Sequence, residues 1–205
     1  MTQLSCSESP RQIRAEPAKK HCVFNSAELD AVLDDYRTSF GAKVFGEESS
    51  EEEDDLMLVF GLTQTAKAAN KQYWGRELGM CWQRLLMALC RQTCSSFDGP
   101  IREGADEICD FRLGKDAVDT KYRIGSGDSG TLKKFKQYAS RLKALGYKPM
   151  LLILRSDNLP AALTACTTGG WVVASELDAY EYIRSSSGVD LQKWLRARRG
   201  KFSLS

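Results

Sequence analysis

The chain of 205 residues contains one histidine, His21, and it lies in a polar N-terminal stretch. That scarcity excludes chemistry built on histidine, including Ser-His-Asp hydrolysis and HNH-type nuclease sites. A zinc site is poorly supplied as well, because the seven cysteines include no Cys-x-x-Cys pair. Cys81, Cys90 and Cys109 fall within apolar patterns and read as buried thiols of a reducing, cytoplasmic setting. No apolar run approaches the roughly 20 residues that span a bilayer, so no membrane association is expected. The first 20 residues have no apolar h-region, and no secretion signal is expected there. Catalysis would therefore fall to carboxylates, lysine or cysteine.

What is present is an ordinary globular composition, 42% hydrophobic, with a net charge of only +2. The charge is unevenly placed. From Asp110 onward there are 17 Lys+Arg against 9 Asp+Glu, a net +8, which leaves 12 against 18, a net −6, in the rest. A polyanion would sit on the second half. The length suits one domain over 21–205, preceded by a loose polar arm over 1–20. The run from Gly46 to Asp55, with seven acidic residues, reads as a solvated loop or as an acidic segment competing for a basic cleft.

Periodicity predicts a helix over Ser26–Tyr36 with Ser26 as its cap, and a long helix over Thr65–Cys94. The long helix carries a stripe of Trp74, Leu78, Cys81, Trp82, Leu85 and Leu89. From Glu107 to Tyr122 the period changes to two, and a hairpin turning at Gly114-Lys115 fits a type II′ turn. A glycine loop, Gly125–Gly130, leads to a helix over Thr131–Leu145 with Leu132, Phe135, Leu142 and Leu145 inward. Pro149–Leu154 reads as a central strand covered on both faces. Leu159–Cys166 and Trp171–Ala174 continue as helix and strand, and helices near Glu176–Ile183 and Val189–Arg199 end the chain. Together these predict an α/β/α sandwich around a mixed central sheet.

The hairpin concentrates the chemistry. Its register pairs residues whose numbers sum to 229, placing Asp110 across from Asp119 with Cβ atoms about 4.5–5.5 Å apart. Two such carboxylates repel by roughly 4 kcal/mol at an effective dielectric of 20. Lys121, on the same face, supplies one compensating charge. A divalent cation held by Asp110 and Asp119 would supply the rest, and Mg²⁺ prefers hard oxygen ligands. The plainer alternative is a surface hairpin with a cross-strand Asp-Lys ion pair. Cys94 or Cys166 as a nucleophile would have no nearby histidine to activate it.

Asp110 followed by Asp119-Thr120-Lys121 resembles the PD-(D/E)XK nuclease signature, with Cys109 where many members have proline. The order of helix, hairpin, helix and strand over Thr65–Ser175 matches that core, so the resemblance implies a restriction-endonuclease-like fold. It further implies metal binding by Asp110 and Asp119, water activation by Lys121, and an acidic role for Glu77 on the preceding helix. Arg76 or Arg84 could instead pair with Glu77. Asp106 is a rival first acid, but about four residues, or roughly 13 Å, up the strand.

The chain looks most like type II restriction endonucleases, in an ApaLI-like branch. This implies Mg²⁺-dependent, site-specific cleavage of double-stranded DNA by a homodimer, leaving 5′-phosphates. Ser126 and Asp128 of the glycine loop, and Lys133, Lys134 and Lys136 after it, would meet the backbone. Arg155 and Asn158, with Asp157, would read base edges, unless they only cap the helix before Pro160. A structure-selective repair nuclease or resolvase, and a non-catalytic DNA-binding protein, are the rival readings.

Overall fold

The computed structural model describes residues 24–41, 53–124 and 129–204. The arm over 1–20 and residues 46–52 of the acidic run lie outside them. Helix α1 (Ser26–Gly41) runs five residues past its expected end, because Tyr36 and Phe40 continue the buried stripe of Leu29, Val32 and Leu33. Its first turn is capped by Asn25, whose Oδ1 accepts the Ala27 N–H at 3.0 Å, rather than by Ser26.

The end of the acidic run is not a solvated loop. Asp54 is the N-cap of a short helix, α2 (Asp55–Phe60), and accepts the N–H groups of Leu56 and Met57. Leu56, Met57, Val59 and Phe60 are fully buried, which explains why the chain turns helical as soon as the acids stop. The expected long helix is two. Helix α3 (Gln64–Ala69) stops at Asn70, whose side chain accepts the Tyr73 N–H and starts helix α4 (Lys71–Thr93). The predicted stripe on α4 is buried throughout.

Strands β1 (Phe97–Asp98), β2 (Ile101–Glu103), β3 (Asp106–Cys109), β4 (Phe111–Leu113) and β5 (Asp116–Lys121) follow. Strands β2 and β3 form a small sheet of their own that the sequence pattern did not announce. The β4–β5 register agrees with the expected one: Phe111 faces Val118, Arg112 faces Ala117 and Leu113 faces Asp116. Gly114 has φ of 60° while Lys115 is not among the residues with positive φ, as a type II′ turn requires.

Helix α5 (Ser129–Ala144) ends at Gly146 as expected, but Leu145 is 52% exposed rather than inward. Next come strand β6 (Lys148–Ile153), helix α6 (Pro160–Gly169), strand β7 (Val172–Ser175), and helices α7 (Leu177–Ser187) and α8 (Leu191–Arg196). The main sheet has the order β1-β4-β5-β6-β7, antiparallel as far as β5 and parallel from β5 to β7.

Alternation along β5 and β6 divides the interior in two. Val118, Tyr122, Met150 and Leu152 pack with helices α1, α2, α4, α7 and α8. Ala117, Leu151 and Ile153 pack with Phe135, Leu142, Ala162 and Cys166 of α5 and α6. The fold is an α/β/α sandwich around a mixed sheet, and Asp119 and Lys121 share the α5–α6 face with Ala117.

Candidate active site

Asp110 sits where the hairpin stops being regular. Strand β3 ends at Cys109, β4 begins at Phe111, and the β4–β5 ladder closes at Phe111–Val118, one pair short of Asp110 and Asp119. The Asp110 backbone N–H donates to the Val118 carbonyl at 2.8 Å. Its Oδ2 accepts the Thr120 backbone N–H at 2.7 Å, and the Thr120 hydroxyl also donates to it. A side-chain carboxylate thus stands in for a ladder carbonyl, which fixes Asp110 against β5.

Asp110 is only 9% exposed. Burial, followed by the charge of Asp119, raises its pKa to about 7, against the opposing pull of Lys121 and the Thr120 hydrogen bonds. Lys121 Nζ lies 2.9 and 2.8 Å from the two carboxylate oxygens of Asp119, and also donates to the Thr120 carbonyl at 3.0 Å. Desolvation works against its charge, but the carboxylates of Asp119 and Asp110 outweigh it and hold the Lys121 pKa above the ordinary value. Lys121 is therefore an ammonium at neutral pH. It lies over the Phe135 ring at 5.5 Å.

These three side chains open on one cleft of ≈ 350 Å³, bounded also by Asp106, Lys134 and Tyr138. Among the described residues there is no group of three or more His, Cys, Asp and Glu able to hold a metal ion. Mg²⁺ needs fewer protein ligands, since it keeps several waters and takes one or two carboxylates plus phosphate oxygens. Asp110 and Asp119 offer hard oxygens to one cleft, and their mutual repulsion is the kind a cation relieves. The donor set fits, with Asp119 sharing its oxygens between the ion and Lys121.

Other expected residues fall elsewhere. Glu77 does not line the cleft: α4 packs on the opposite sheet face, and its carboxylate pairs with Arg76 at 2.9 Å. Ser126 and Asp128 lie outside the described residues. Of the three lysines on α5, Lys134 reaches the cleft, paired with Asp106 at 3.0 Å, while Lys133 and Lys136 line an adjoining groove.

Arg155 and Asn158 cannot read bases as they stand. Arg155 is 3% exposed and bonded to Asp54 at 3.1 Å and Asp157 at 2.5 Å. Tyr122 also donates its hydroxyl to Asp54. Asn158 is buried, accepting the Ile124 N–H and donating to the Arg155 carbonyl. They are a latch that ties the ends of β5 and β6 to the cap of α2. Cys166 is buried with its thiol pushed up by burial. Cys94 is held down to about 7 chiefly by its Cys90 neighbour, but it faces no catalytic partner in the cleft. The sequence pattern missed Thr120 as the anchor of Asp110 and missed Tyr138. Only its place one turn beyond Lys134 on the same helix signalled the latter.

No protein-family model matches the chain, and no curated protein matches it. Among solved structures, the crystal structure of protein VC1899 from Vibrio cholerae aligns with 87% of this chain at 15% identity and a TM-score of 0.42. This chain spans 59% of that protein's length, and a likeness this distant says nothing about chemistry.

Proposed function

We propose that this chain is a Mg²⁺-dependent endodeoxyribonuclease of PD-(D/E)XK type. The observation that carries the reading is the convergence of Asp110, Asp119 and Lys121 on one cleft, with Lys121 paired to Asp119 at 2.8 Å and Asp110 partly deprived of its charge. A lone Asp-Lys ion pair would have no use for a second, buried carboxylate beside it whose charge is disfavoured.

Asp110 and Asp119 would hold the ion. When bound, Mg²⁺ would supply a Lewis acid for a phosphoryl oxygen and lower the pKa of an attacking water. Thr120 holds Asp110 in place, so that one carboxylate oxygen is fixed before substrate arrives. Lys121, being an ammonium, would orient the attacking water and offset negative charge developing on the phosphoryl group, while the proton of that water passes to solvent in the open cleft rather than to Lys121. Resemblance to the family implies 5′-phosphate products.

The finer form of the proposal is a type II restriction endonuclease acting as a homodimer on double-stranded DNA. A structure-selective repair nuclease is the second reading. It gains from the burial of Arg155 and Asn158, which removes the expected base-reading pair. Digestion of a large phage DNA with and without Mg²⁺, alongside Asp119→Ala and Lys121→Ala, tests both. Discrete Mg²⁺-dependent fragments lost in both variants support the restriction enzyme. A smear lost in the same variants supports the second reading. Wild type that leaves every DNA intact, or variants that cut as well as wild type, contradict the proposal.

A further inference from the structure

The cleft does not end at the carboxylates. A groove of ≈ 940 Å³ adjoins it between helix α5 and the β2–β3 hairpin, and Asp106 and Tyr138 line both spaces. One wall is basic, with Lys133, Lys136 and Arg141 of α5, and Lys134 stands at the cleft end. The other wall is the acidic tip of the hairpin, where Glu103 and Asp106 flank the turn at Gly104.

Two ion pairs hold the walls together. Lys134 Nζ lies 3.0 Å from Asp106 Oδ1, and Arg141 contacts the Glu103 carboxylate. Lys134 and Arg141 are seven residues apart, two turns of helix, and so share one face of α5. Against that face the two carboxylates stand where phosphate oxygens would stand on a bound strand. Both pairs are largely exposed, with side-chain exposures of 55% and 55% in one and 60% and 30% in the other. Such pairs are weak and readily exchanged, and a DNA strand offers arginine and lysine a row of phosphodiester monoanions whose binding also releases condensed counterions.

The hairpin is built to yield at its tip. Among the described residues strands β2 and β3 ladder only with each other, Gly104 turns them with φ of 61°, and the residues over 104–107 are exposed. Its base is anchored, because Ile108 and Cys109 are each only 1% exposed within the α5–α6 core. The tip has few buried contacts to lose, and the base has many.

We propose that this groove receives the sugar–phosphate backbone of double-stranded DNA leading into the cleft, and that Glu103 and Asp106 form a clasp on Arg141 and Lys134 that phosphates displace. The proposal rests on the nuclease reading above and specifies how its substrate enters. It makes the basic face of α5 the phosphate track and the β2–β3 tip its competitor. Freed by DNA, the two carboxylates leave the groove with the tip while the base stays packed.

The test is binding of a short fluorescein-labelled duplex in EDTA, read by anisotropy at fixed salt, so that neither metal nor cleavage enters. Neutralising the clasp, as Glu103→Gln with Asp106→Asn, tightens binding by about tenfold, the combined worth of two exposed pairs. The control pair Asp34→Asn with Glu181→Gln removes two ion-paired acids on the opposite helical layer and leaves binding unchanged. Lys134→Gln with Arg141→Gln weakens binding by about tenfold or more and flattens its salt dependence. A clasp variant that binds no tighter than wild type, or a control pair that tightens binding as much, overturns the clasp and leaves the nuclease reading standing. Absence of wild-type binding overturns the groove as a phosphate track, while the nuclease reading is decided separately by the digestion in Mg²⁺. Circular dichroism of each variant establishes that it is folded before its affinity is compared.

Discussion

Asp110 is held by Thr120 whether or not it is charged, yet its charge is disfavoured by burial and by Asp119. A carboxyl whose folded pKa is raised to about 7, above an unfolded value near 3.9, binds more protons folded than unfolded between those limits. Stability is therefore lost as pH rises from about 4 through 7. Asp110→Asn keeps the acceptor for Thr120 and removes the titration. It should raise stability at pH 8 by on the order of 2 kcal/mol and change little at pH 4, as read by urea unfolding at both pH values. Arg155 gives the opposite kind of prediction. Arg155→Met leaves Asp54 buried without its cation and should cost about 3 kcal/mol of stability, with no change in DNA affinity. A variant of normal stability and relaxed sequence preference would restore Arg155 as a base reader. The sequence offered Arg155 and Asn158 to DNA because polar residues after a central strand commonly face a ligand. Asp54, the partner of Arg155, is about a hundred residues earlier, and Asn158 accepts from Ile124, 34 residues back, separations that no local pattern reveals.

Elements whose signal is local were legible. The β4–β5 hairpin register followed from alternation and from one glycine, because a slip of one residue would send Val118 and Asp119 to the wrong faces. Gly114→Ala puts a side chain at φ of 60° and should cost about 1 kcal/mol, with a fall in activity if the turn also sets the cleft. The break at Asn70 went unread although the apolar stripe begins only at Trp74, with Asn70, Lys71 and Lys67 at the positions one and two turns before it, and although Asn is a favoured helix cap. Asn70→Ala should lower stability by about 1 kcal/mol without affecting cleavage, measured by thermal unfolding and a plasmid assay on the same sample. The β2–β3 sheet was missed because its exposed strands carry charge rather than alternation, and the same charge gives the tip its grip on α5.

Across the whole molecule, the sheet assigns different tasks to its two faces. One is sealed by α1, α2, α4, α7 and α8 and carries the large aromatic core, including Trp74, Trp82 and Phe40. The other is covered by α5, α6 and the base of the β2–β3 hairpin, and there Asp119 and Lys121 break the apolar surface beside an open groove. The α/β/α architecture was readable from the order of elements, but the placement of Glu77 on the sealed face was not, because a helix stripe does not say which side of a sheet it covers. The basic second half of the sequence reaches the groove through α5, while Arg196 and Arg198 of the far helical layer are bound to Asp55 and Asp30. The most direct test of the account is the single-turnover rate of nicking a supercoiled plasmid in Mg²⁺, for wild type and Lys121→Ala at equal DNA occupancy. Metal-dependent nicking that falls by about 100-fold or more in the variant, with binding retained, is the expected result. Equal rates, or wild-type nicking that persists in EDTA, would contradict it.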